Sequence, residues 1–147
     1  MDNFKNKIAV VTGGGTGMGR ELVSQLAKQG CNVAMCDVIE ENMLETYDLV
    51  STESPDITLS KHVCDVSDEE QVNKFRDEVL SAHNTQTINL LFNNAGIGGG
   101  GSFITSTREE WERCFAVCWY GVYYCSRAFM QSIVESDEGH IINTSSI

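Results

Sequence analysis

The apolar run Ile8-Ala9-Val10-Val11 passes directly into Thr12-Gly13-Gly14-Gly15-Thr16-Gly17-Met18-Gly19, and a helix-patterned segment follows. Few folds accommodate a strand, a glycine loop and a helix in that order. Glycines in such a turn remove the side chains that would hold a pyrophosphate away from the backbone, and they permit positive φ. The N–H groups of the helix's first turn then face the anion. Met18, Leu22, Val23, Leu26 and Ala27 recur at helical spacing, Lys28 falls in the last turn, and Gly30 stands where a helix-ending glycine belongs. A second apolar run, Val33-Ala34-Met35-Cys36, ends at Asp37, eighteen residues after Gly19. A dinucleotide-binding βαβ unit places its ribose-binding acid at about that distance. A glycine cluster alone would read as a plain turn; the flanking strand and helix and the downstream acid make it a phosphate loop.

Strands and helices keep alternating along the rest of the chain. Met43, Tyr47 and Val50 mark a second helix, and Ser54-Pro55-Asp56 a loop before a strand from Ile57 to Cys64. Ser67 and Glu70 read as a capping box for a third helix with Val72, Phe75, Val79 and Leu80 on its apolar face. Ile88 to Phe92 is a buried strand, followed by a glycine-rich loop from Gly96 to Gly101. A long helix is predicted from near Thr107 past Met130, and His140 to Thr144 forms a fifth strand. This alternation predicts an α/β fold: a doubly wound parallel sheet of Rossmann type, helices on both faces, in one incomplete domain over 1–147 with strand order beginning 3-2-1-4-5. Ligands of such sheets lie beyond the carboxyl ends of the strands, where Thr12, Asp37, Asp65, Asn93 and Thr144 fall.

The chain's 147 residues can bury about 70% of the unfolded surface, enough for a real core. A net charge of −11 without a basic run argues against nucleic acid and anionic membranes as partners. No signal-peptide pattern precedes the first strand and no apolar run is long enough to span a bilayer, so a cytoplasmic location is expected. The cysteines, at 31, 36, 64, 114, 118 and 125, form no CxxC pair, and no His, Asp or Glu completes a ligand set beside the last three, which would share a helix face. They are expected to be buried small hydrophobes with no metal.

In the order and spacing of four motifs the chain resembles the short-chain dehydrogenase/reductase family, over essentially its whole length. These are TGGGTGMG at Thr12 to Gly19, Asp65 in Cys64-Asp65-Val66, NNAG at Asn93 to Gly96, and Asn143-Thr144-Ser145-Ser146. Read alone, Asp65 would be an ordinary strand-end acid, Asn93 and Asn94 backbone-bonding amides, and the serines a polar turn. The resemblance implies that the glycine motif holds a pyrophosphate, that Asp65 binds the adenine edge, and that the NNAG strand end supports the sheet beside the cofactor. The cofactor-binding set it implies is Gly13, Thr16, Gly17, Met18, Gly19, Asp37, Val38, Asp65, Val66, Asn93, Ala95, Gly96 and Thr144. A carboxylate at Asp37 suits free ribose hydroxyls and repels a 2′-phosphate, with no Arg or Lys beside it at Thr16 or Val38, so NAD is expected over NADP.

The family reaction is hydride transfer between an alcohol or ketone and nicotinamide, with a Tyr acid/base, a Lys that lowers its pKa and a Ser that steadies the substrate oxygen. Ser146 aligns with that Ser. None of Tyr47, Tyr120, Tyr123 and Tyr124 has Lys four residues later, and Cys118 stands where many members place a proton-relay Asn. The chain is therefore expected to end before the TyrxxxLys motif, to be truncated after its fifth strand with Ile141 and Ile142 near an open sheet edge, and to be inactive by itself. The alternative is a non-catalytic dinucleotide-binding module or a nonfunctional fragment. The long helix is apolar on more than one face, which predicts burial on both sides in a homo-oligomer.

Overall fold

In the computed structural model, residues 1, 3–99 and 101–145 are described. The elements follow in the order β1 (Ile8–Thr12), α1 (Gly17–Lys28), β2 (Asn32–Asp37), α2 (Glu40–Glu53), β3 (Leu59–Val63), α3 (Glu69–Ala82), β4 (Leu90–Asn93), α4 (Arg108–Phe115), a π turn (Ala116–Tyr120), α5 (Gly121–Val134) and β5 (His140–Asn143). The described strands form one sheet in the order β3-β2-β1-β4-β5, with every neighbour parallel. Both the class and the strand order are those expected. The third and fourth strands begin two residues later than expected, at Leu59 and Leu90.

Alternation along β1 divides the core. Ala9 and Val11 join Val23, Leu26, Val33, Met35, Met43 and Val50 under α1 and α2. Val10 points the other way, to Val72, Phe75, Val79, Leu91, Cys125 and Phe129 under α3 and α5. Both faces of the sheet are thus covered, so its central strands read as unbroken apolar runs. Phe75 and Phe129, both fully buried, meet edge to face at 5.5 Å.

Three expectations about local structure are corrected. The N-cap of α3 is Asp68, whose Oδ1 accepts from the N–H groups of Glu70 and Gln71. Ser67 instead donates both its backbone N–H and its hydroxyl to Asp65 Oδ1. A charged carboxylate accepts the helix's free N–H groups more strongly than a hydroxyl does, so the later residue caps. The true capping box is Thr107 with Glu110, at the start of α4.

The long helix is not regular throughout: a π turn over Ala116–Tyr120 interrupts it, which resets the side-chain register. Beyond that turn Gly121, Cys125, Phe129 and Ile133 face the core, while Trp119 is 69% exposed and Phe115, Tyr120 and Tyr123 are also exposed. Within one chain, then, the helix is buried on one side only. The cysteines divide in the same way. Cys31, Cys36, Cys64 and Cys125 are buried, as expected, but Cys114 is half-buried and Cys118 exposed. Burial pushes the Cys31 and Cys125 thiols up to about 12, which makes them packing groups rather than nucleophiles.

Candidate functional site

The site forms where β1, β2 and β4 end together. Thr12, 2% exposed, ties the ends of β1 and β4: its hydroxyl donates to the Phe92 carbonyl at 3.3 Å and accepts from the N–H groups of Asn94 and Ala95 at 3.0 Å each. Asn94 returns the contact, donating Nδ2 to the carbonyls of Thr12 and Gly13. The NNAG segment is therefore stapled to the glycine loop. Gly13 has φ +69°, and a Cβ there would lie 2.9 Å from Ala95 Cα. A Cβ on Gly19 would overlap the Gly13 carbonyl oxygen and come within 2.7 Å of Asn94 Nδ2. Only a glycine lets α1 start so close to the loop.

The start of α1 differs chemically from those of α2, α3 and α4. Those three carry Glu pairs in their first turns, at 40–41, 69–70 and 109–110. The first turn of α1 has no acidic residue, and Thr16 makes no side-chain cap bond. A Cβ on Gly17, the first helical residue, would meet nothing within 4 Å. In a chain of net charge −11, this helix's first turn carries no carboxylate of its own and has open space at Gly17, which leaves its positive end suited to an anion. Met18, placed on the apolar helix face by its spacing, is instead 61% exposed at this mouth.

Asp37 closes the other side. Its Oδ2 accepts from the Gly15 N–H at 3.0 Å and its Oδ1 from the Ile39 N–H at 3.2 Å. The Gly15 peptide is fixed from behind, because its carbonyl accepts from Arg20 Nε and Nη2 and from the buried Thr46 hydroxyl. Arg20 also pairs with Glu45 of α2 at 2.9 Å.

Between these walls lies a slot of about 100 Å³ lined by Gly13, Asp37, Val38, Asp65, Val66, Ala95 and Gly96, together with Arg113 and Val117 from the far helix. Asp65 accepts from Ser67 on Oδ1 and from Arg113 Nη2 on Oδ2, the latter at 3.0 Å. Partial burial pushes its carboxyl up, but the Ser67 and Arg113 hydrogen bonds outweigh this and hold it below the usual carboxylate range. A larger cavity, about 450 Å³, adjoins the slot between the loop after β4 and α4 and shares Ile97 and Arg113 with it.

Asn93 and Thr144 do not line the slot. Asn93 is 3% exposed and turns its amide inward, donating to Ser126 Oγ at 3.0 Å and Asn143 Oδ1 at 2.8 Å. It joins β4 to α5 and β5, while its own Oδ1 has no hydrogen-bond partner. Thr144 donates its N–H to the Asn93 carbonyl, which places it just past the end of β5. Cys118 donates to the Ile97 carbonyl at 3.5 Å, and Ser146 lies outside the described residues. Among the described residues, no group of three or more His, Cys, Asp or Glu could hold a metal ion, and no helix is long and apolar enough to cross a membrane. Sequence reasoning missed Arg20, Thr46 and Arg113. Each lies 22 or more residues from at least one group that it ties to the site, and no motif spacing marks such pairs.

The family model for short chain dehydrogenases matches residues 7–147. Putative oxidoreductase SadH of Mycobacterium tuberculosis is 31% identical over 147 residues, which is all of this chain and 52% of that protein. The crystal structure of a short chain dehydrogenase/reductase from Burkholderia phymatum in complex with NAD superposes with a TM-score of 0.90 at 33% identity, covering 99% of this chain and 51% of that one. A metagenomic short-chain oxidoreductase in complex with NADP gives a TM-score of 0.88 at 30% identity, over 98% of this chain and 64% of that one. The chain thus spans about half the length of the curated relative. With the matched family model, the parallel sheet order and the glycine loop at its switch point in agreement, this chain belongs to the short-chain dehydrogenase/reductase family.

Proposed function

We propose that this chain is the dinucleotide-holding part of a nicotinamide-dependent oxidoreductase and that it takes NAD in preference to NADP. The observation that carries this is the Asp37 carboxylate lining the slot, held by the Gly15 and Ile39 N–H groups next to α1, whose own first turn holds no acidic residue. In this reading the N-terminal turn of α1, Thr16 to Gly19, receives the pyrophosphate. Asp37 accepts from the adenosine ribose hydroxyls, and Val38, Val66 and Ala95 wall the adenine slot with Gly13 and Gly96. Asp65 accepts from the adenine amino group. A 2′-phosphate beside Asp37 would meet a like charge, and Arg20, already bound to Gly15, Thr46 and Glu45, does not offset it. Both NAD and NADP complexes occur among the similar structures, so the distinction rests on Asp37.

Bound nicotinamide supplies hydride acceptance or donation toward an alcohol or ketone carbon. Within this reading Ser146 steadies the substrate oxygen, and Asn93 and Thr144 hold the strand ends that carry it. No tyrosine in these residues has Lys four positions later, and Cys118, a weak hydrogen-bonding thiol, replaces the amide of a proton relay. These 147 residues by themselves are therefore proposed to bind without turnover; the second reading is a non-catalytic binding module. The exposed Phe115, Trp119, Tyr120 and Tyr123 support a homo-oligomer formed through the long helix.

Titration calorimetry with NAD and NADP tests the cofactor reading. Asp37→Ala is expected to weaken NAD by about tenfold, the loss of one to two charge-assisted hydrogen bonds, while NADP binding holds or improves. An unchanged NAD-to-NADP ratio would remove Asp37 as its cause, and steady NAD-dependent alcohol oxidation by the chain alone would overturn the non-catalytic assignment.

A further inference from the structure

We infer that Arg113 is a positioning residue for recognition of the adenine base: its guanidinium holds the Asp65 carboxylate as an acceptor-only group with one lone pair of Oδ2 left open to the slot. The inference rests on the dinucleotide reading above and extends it to a residue of α4, 48 positions from Asp65 in sequence.

The three side chains form a closed ring. Arg113 Nη2 donates to Asp65 Oδ2 at 3.0 Å and Nη1 to Ser67 Oγ at 2.7 Å, and Ser67 Oγ donates to Asp65 Oδ1 at 2.6 Å. The Ser67 N–H adds a second bond to Oδ1 at 3.0 Å, and the Asp65 N–H is itself held by Gln71 Oε1. An ionised carboxylate offers about four acceptor positions. Ser67 takes both on Oδ1 and Arg113 one on Oδ2, so a single acceptor position remains, and Asp65 and Arg113 both line the slot.

That leftover acceptor selects by hydrogen-bond type. A purine with a 6-amino group can donate to it; a purine with a 6-oxo group would present an oxygen to an oxygen. A planar two-pronged guanidinium fixes both the direction and the charge of its partner, which an ammonium cannot do with one contact. Without Arg113, Asp65 keeps only its Ser67 contacts, its Oδ2 is free to turn to solvent, and the discrimination between the two purines falls.

The test compares NAD with nicotinamide hypoxanthine dinucleotide, in which a 6-oxo group replaces the purine 6-amino group and N1 gains a proton. Both are titrated into the chain and into Arg113→Met, which retains the aliphatic bulk without donors. The wild-type chain is expected to favour NAD by about tenfold or more, and Arg113→Met to reduce that ratio to near unity, chiefly by weakening NAD. Arg113→Lys, which keeps the charge but not the fork, is expected to give an intermediate ratio and serves as the readout should Arg113→Met not fold. If NAD binds and either variant weakens both ligands equally, Arg113 is only structural and the inference is overturned while the dinucleotide reading stands. If neither ligand binds the wild-type chain, both fail together.

Discussion

Acidification is expected to weaken the fold through one hydrogen-bond chain beneath α3. Glu78, His62, Ser60 and His83 are linked in that order: His62 Nδ1 lies 3.1 Å from Glu78 Oε2, His62 Nε2 2.9 Å from Ser60 Oγ, and Ser60 Oγ 3.0 Å from His83 Nε2. Carboxylate chemistry fixes the protons when both rings are neutral. Glu78 only accepts, so His62 carries its proton on Nδ1 and accepts at Nε2. Ser60 then donates to His62, His83 Nε2 donates to Ser60, and His83 Nδ1 is left bare, buried and without a partner. Protonating that nitrogen would place a charge with no acceptor beside it. Burial first, and then the neighbouring His62, accordingly lowers the His83 pKa from 6.5 to about 4. His62 is also lowered by burial, only partly opposed by Glu78.

A histidine lowered in the fold binds its proton more readily when unfolded, so stability is full above the unfolded value near 6.5 and falls as pH drops toward 4. The lowering of His83 corresponds to at most about 3 kcal/mol, and about 1–2 kcal/mol is expected once solvent screening of its partly open ring is allowed for. Urea unfolding at pH 7, 5.5 and 4.5 measures this loss in the wild-type chain. His83→Gln keeps a donor for Ser60 but cannot protonate in that window, so its loss of stability with acid should be smaller by that same amount. Equal pH slopes for the two proteins would refute the argument.

Three further substitutions probe the site and its supports. Gly19→Ala forces a methyl onto the Gly13 carbonyl and the Asn94 amide and should cost about 1–3 kcal/mol or more in thermal unfolding; a neutral result would mean that α1 does not start where described. Thr12→Val keeps the shape but leaves the N–H groups of Asn94 and Ala95 without their acceptor, an expected loss of about 2–3 kcal/mol by urea titration. Trp119→Glu places a charge on the exposed face of the long helix; if that face forms a homo-oligomer, sedimentation should show the assembly dissociating with the fold intact.

Local patterns made the sheet and the first half of the site legible. Apolar runs ending at Thr12, Asp37 and Asn93 announced strand ends, and the crossover rule then ordered the strands without reference to any contact. Gly13 and Asp37, read from the glycine loop and a strand end, meet around one slot with Val38, Asp65, Val66, Ala95 and Gly96, which the family resemblance had implied. The expectations that failed depended on competition between neighbours. Ser67 has the residue type and spacing for a cap, but Asp65 claims it and Asp68 outbids it. Both faces of the long helix looked apolar because aromatic residues flank the π turn, and only the register beyond that turn shows which side meets the core.

The sequence alone determined the α/β class, the strand order and the place of the glycine loop, because periodicity, turn chemistry and crossover handedness act over a few residues or along one connection. Tertiary structure decided what each polar group does once it arrives. It turned Asn93 inward to brace α5 and β5, tied the Gly15 N–H to Asp37 and the Gly15 carbonyl to Arg20 and Thr46, and carried Arg113 across 48 positions to Asp65. The physical reason is that hydrogen bonds are directional and saturable. Which donor satisfies which acceptor depends on every other group within reach, and only the folded chain brings those groups together.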